Sequence, residues 1–169
     1  MFRTRTDSSR GQSMVEFALI LPILMLLLTG FFDLGRVVLS NDALSHAARE
    51  AARYAIVHGG SVANLCPAGP LPADIPAPAA SASCPFPSPS RESIRAEARQ
   101  QAAAAGSSVT VEVCYGLGCV GDTDIPGATN ERGTPVTVTV RSTVHMTAAS
   151  LIGFSSFDVS SSSTMLVNH

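Results

Sequence analysis

From Phe17 to Leu28 every residue is apolar, and after Thr29 and Gly30 the run resumes with Phe31 and Phe32. Counted from Met14, the stretch approaches 20 residues, enough for a helix to cross roughly 30 Å of hydrocarbon. Glu16 is the single charge within it. Arg3, Arg5 and Arg10 precede the block, while Asp33 and Arg36 follow it. Positive charge resists translocation, so this pattern predicts a cytoplasmic N-terminus and export of everything beyond about residue 33. A cleaved secretory signal is the rival reading, but no small-x-small site follows Leu28 and the run is long for a signal.

The remainder can build only a small core, because the chain has 169 residues, no Trp and 5% aromatics. Its formal net charge of −2 leaves no basic face for a phosphate backbone, which argues against a nucleic-acid partner. The four cysteines are even in number, as expected for an oxidising compartment. Short loop closure favours Cys66–Cys84 and Cys114–Cys119 among the three connectivities. A zinc site is disfavoured, since no CxxC spacing or paired His accompanies these cysteines.

The apolar block runs without interruption into a second helical stretch that ends near His58, before Gly59-Gly60. A helix over 13–58 would be roughly 69 Å long. Pro22 falls inside it, which membrane helices tolerate. Leu34, Val37, Asn41, Leu44, Ala48, Ala51 and Ala55 recur at alternating three and four spacing and predict a packing seam, with Asn41 fixing register. Arg49, Glu50 and Arg53 lie off that seam and form a candidate assembly surface.

Residues 61–90 hold eight of the eleven prolines and read as a linker. Ser90 is placed to cap a helix of about 91–105 that Gly106 would end. Alternating valines predict strands over 108–115 and 135–146, with a weaker Ser/Thr-rich strand over 157–167. The expected fold is therefore α+β: a long N-terminal transmembrane helix continuing into an amphipathic helix, then a short helix and a small antiparallel sheet. The expected divisions are a cytoplasmic leader (1–11), a transmembrane helix (12–33), its extension (34–60), the linker (61–90) and an exported head (91–169).

No catalytic constellation is visible. There is no G-x-S-x-G elbow, and His46, His58, His145 and His169 share no ligand spacing. The run from Asp122 to Gly127 has Asp at its first and third positions and Gly at its sixth, as in a calcium loop. Pro126 occupies the fifth, however, and no Glu stands at the twelfth, so a solvated turn is the better reading. The chain reads as a non-enzyme without cofactor, metal or small-molecule substrate.

The segment Arg10-Gly11-Gln12-Ser13-Met14-Val15-Glu16-Phe17 combines a basic leader ending in Gly, a lone Glu and an apolar run. It resembles the processing site of type IV prepilins and pseudopilins. That resemblance implies a cut by prepilin peptidase between Gly11 and Gln12, with Glu16 becoming the fifth residue of the mature chain. A carboxylate at the edge of an apolar helix is costly unless paired, and the new amine of a neighbouring subunit would supply the partner.

Gly11, Val15, Glu16, Phe17, Ala18, Leu19 and Pro22, then Gly30, Asp33, Gly35 and Arg36 and the stretch from Ala47 to Ala55, together resemble the TadE-like family. This implies a minor pseudopilin or assembly component of the Tad (tight adherence) pilus. Its expected partners are other pilin-like subunits and the Tad inner-membrane assembly platform. The expected location is the bacterial inner membrane, with the head periplasmic or extracellular. Gln12 stands where pilins usually carry an apolar residue, so both a cleaved subunit and a permanent anchor fit the pattern. The alternative function is an uncleaved adhesin or sensor with a binding head.

Overall fold

The computed structural model describes residues 8–60, 66–74, 90–106, 108–148, 150, 153 and 156–168. One helix, α1 (Ser8–Val57), runs unbroken through Pro22. At 1.5 Å per residue its 50 residues extend about 75 Å. It starts five residues before the expected Ser13, so the Gly11–Gln12 bond lies within helical backbone.

Two short helical pieces follow. The first is α2 (Glu92–Gln101), which tightens into a 3-10 turn at Ala102–Ala105. Ser90 does cap it: its hydroxyl accepts the Glu92 amide at 3.0 Å, and Ser93 Oγ donates to the Ser90 carbonyl at 3.1 Å. Gly106 ends the turn at φ 114°, a conformation that favours glycine.

Strands β1 (Val109–Tyr115), β2 (Pro135–His145) and β3 (Ser156–Leu166) form an antiparallel sheet in the order β1-β2-β3. Val111 faces Val140 and Val113 faces Val138 across the first pair, while Val138 faces Ser163 and Val140 faces Ser161 across the second. Pro135 opens the central strand, where a missing donor costs least. Its carbonyl accepts the Gly116 amide at 2.9 Å.

One face of the sheet packs on the helices. Val136, Val138, Val140 and Val144 of β2 are buried there with Val111, Val113 and Tyr115 of β1 and Val159 of β3. The other face is polar and solvated, with Thr137 bonded to Thr164 at 2.8 Å and Arg141 paired with Glu112 at 3.3 Å. Period-two alternation thus separates core from solvent, as in any sheet covered on one side.

Helix α1 supplies the other wall of the core. Leu44, Ala47, Ala48, Ala51, Ala52 and Ala55 are fully buried, with Ile94 and Ala98 of α2 beside them. Alanine lets the sheet and α2 approach the helix backbone closely. The buried stripe continues down α1 through Ser40 to Asp33, not through Asn41 to Leu34. The upper members of the expected seam thus face this chain's own head, and its lower members do not. Leu34 is 62% exposed and Asn41 is exposed, while Val37 is half-buried. A search for apolar spacing passes over Ser40 and Asp33, because at that level the head meets the helix through hydrogen bonds.

Residues 66–74 of the expected linker pack onto the head. Ala68 is wholly buried, and its carbonyl accepts from Asn130 Nδ2 at 2.7 Å and from the Tyr115 hydroxyl at 3.4 Å. The Asn130 amide donates to the Pro70 carbonyl at 2.7 Å. Gly60 is needed for closeness here: a Cβ on it would stand 2.3 Å from Asn130 Oδ1.

Candidate functional site

The features that set this chain apart lie on α1. From Gly11 to Phe32 no residue is buried, and Ile20, Ile23, Leu27 and Phe31 each expose 60% or more of their surface. The stretch is apolar and long enough to cross a bilayer, with a best window of mean hydropathy 2.3. Thr29 donates its hydroxyl to the Met25 carbonyl at 2.7 Å, which satisfies that group inside the helix as an apolar surrounding demands.

Glu16 is exposed one turn above Gln12, whose side-chain amide donates to Glu16 Oε1 at 3.2 Å. Gly11 is open on every side, with nothing within 4 Å of the place a Cβ would occupy. Gly11, Gln12 and Glu16 thus share an uncovered end of the helix. Leu44, Ala48, Ala51 and Ala55 of the expected seam lie inside the molecule's own core, so Leu34 and Asn41 are its members that face outward. Arg49 and Arg53 are exposed on α1 and Glu50 is half-buried.

Where the apolar stretch ends, Asp33 joins helix to head. Its side chain is buried, with Oδ1 accepting the Thr147 hydroxyl at 2.8 Å and Oδ2 the Ala148 amide at 2.7 Å. These bonds fasten the segment after β2 to the helix. In the sequence Asp33 stands out as a flanking charge and as the acidic residue of the TadE-like pattern, and neither reading foretells its bonds to the head. The signal available was an acid at the mouth of an apolar run, on the face that Leu44 and Ala48 continue.

The acidic pair read as a solvated turn has a definite task. Asp122 Oδ1 accepts the Val113 amide at 2.9 Å and Asp124 Oδ1 the Tyr115 amide at 2.7 Å, which covers the outer edge of β1. Arg95 pairs with Asp122 at 2.9 Å and Arg91 pairs with Asp124. Residues four apart on a helix and two apart on an extended chain have similar separations, so the two pairs match rung for rung. Burial alone would push the Asp122 carboxyl up, but the Val113 amide and the Arg95 guanidinium outweigh it and hold it below the usual range. Arg99 and Arg95 likewise hold Glu92 low. Burial raises the Tyr115 hydroxyl far above its ordinary value.

Cys114 and Cys119 form a disulfide that closes the turn after β1. Cys66 is also disulfide-bonded, and Cys84 lies outside the described residues. Among the described residues no group of His, Cys, Asp and Glu could hold a metal ion.

The comparison with known families falls on this helix. The TadE-like protein family model matches residues 11–53. The TadE-like segment begins at Gly11, carries Glu16 and Asp33, and ends at Arg53 within the part of α1 that the head covers. It includes none of the strands. No curated protein and no solved structure matches the chain.

Proposed function

We propose that this protein is a minor pseudopilin or assembly component of the Tad pilus, acting by helix packing in the bacterial inner membrane. The observation that carries the reading is the uncovered apolar half of α1, with Glu16 as its lone charge, coinciding with the TadE-like match. A helix bare over this length needs lipid or other helices around it.

Arg3, Arg5 and Arg10 hold the N-terminus in the cytoplasm, and the disulfide-bearing head lies outside. Prepilin peptidase cuts between Gly11 and Gln12. In a growing assembly the Glu16 carboxylate of one subunit pairs with the amine of Gln12 on the next. Outside the bilayer Asn41 meets neighbouring subunits, since the head already occupies the alanine face.

The test is N-terminal sequencing of protein taken from its own membranes, together with Glu16→Ala in the same host. A chain beginning at Gln12, and loss of pili in the variant, are expected. A chain beginning at Met1, with normal pili in the variant, would make it a permanently anchored adhesin or sensor.

A further inference from the structure

A groove of about 480 Å³ runs along α1 where the apolar stretch meets the head. Leu26, Gly30, Leu34 and Val37 form its helix wall, and Met146 and Phe157 form its head wall. Leu26 and Gly30 belong to the apolar stretch, so the groove opens within it. Asp33 and Ala148 close the floor, where their hydrogen bond satisfies both polar groups.

We propose that this groove seats one acyl chain of a membrane phospholipid, held between the helix and the head. The inference rests on α1 spanning the membrane and not on any role in a pilus. Three observations support it. Leu26, Leu34 and Phe157 are 47%, 62% and 53% exposed, which is unfavourable against water and suits lipid. Gly30 leaves its wall open, since nothing lies within 4 Å of a Cβ placed there. The Ala148 amide and the Thr147 hydroxyl are both paired with Asp33, as groups beside hydrocarbon must be. Ile23 and Leu27 stand three residues before Leu26 and Gly30 on α1 and are 63% and 64% exposed, so the apolar surface of the groove carries on along the same helix face into the apolar stretch.

Full-length protein in vesicles of phosphatidylethanolamine and phosphatidylglycerol, doped with a phospholipid carrying a diazirine in its acyl chain, provides the test. After irradiation the adducts are mapped by mass spectrometry. Adducts are expected on Ile20 and Ile23 and also on Met146 and Phe157. Gly30→Leu should fill the groove and reduce the head adducts several-fold while sparing those at Ile20. Phe157→Ser, which removes the head wall, should reduce the Met146 adduct without touching the helix positions. Adducts on the helix alone would overturn the proposal and leave the membrane span standing. Absence of adducts everywhere would overturn both.

Discussion

Asp122 and Asp124 show how much one carboxylate can settle when its partners are fixed. Each accepts a strand amide that would otherwise face outward, and each is held by an arginine, Asp122 by Arg95 of α2 and Asp124 by Arg91 just before it. The arginines therefore hold α2 against the strand edge as well as neutralising charge. Because Asp122 and Glu92 are both held below the usual carboxylate range, the folded head binds fewer protons than the unfolded chain in that range. Their contribution is fully present above the unfolded values near ~4 and is lost as pH falls through the lower folded values. Melting temperature should thus stay level from neutral pH down to about 5 and fall below about 4. Asp122→Asn removes the charge and should shrink that acid limb, as read by thermal melts across pH.

At the scale of elements, the alanine face of α1 decides how close the layers come. Ala48, Ala51 and Ala55 are wholly buried, so a larger side chain has nowhere to go. Ala51→Leu should cost about 1–3 kcal/mol through forced displacement of α2 or the sheet, measurable by denaturant unfolding. Much of this architecture was legible in the chain. The apolar run, the valine alternation and the Ser90 cap fixed the elements to within a few residues, because each depends on local spacing. What local spacing does not reveal is which face of a helix meets a distant polar group. Apolar spacing points along Leu34 and Asn41, whereas the head's own contact runs through Ser40 to Asp33, whose partner on the head is over a hundred residues away at Thr147. The pairing of Arg91 and Arg95 with the acidic turn was hidden for the same reason, although the matched spacing of the two pairs was present in the sequence. Residues 66–74 read as linker because proline signals loop. Nothing local announces that Ala68 would lie under Tyr115.

At the scale of the molecule, α1 is a rod whose lower part is bare and whose upper part is sheathed by the head. Asp33 sits at the junction and fixes the angle between them. Asp33→Ala would leave the Ala148 amide buried without its acceptor and should cost about 1–3 kcal/mol. The expected readout is faster hydrogen exchange at Thr147 and Ala148 in the membrane-embedded protein, with the amides of β2 around Val138 still protected. Exchange unchanged at Ala148 would mean that the junction is held by packing alone.

The covered edge of β1 has one further result. Among the described residues β3 has no strand beyond it, whereas the other side of the sheet is closed by Asp122 and Asp124. A sheet that can accept a neighbour on one side only can join another strand once and then stops. A strand from a second head would thus find open backbone at β3 and a capped edge at Val113 and Tyr115, so edge-to-edge pairing of two heads ends at a pair.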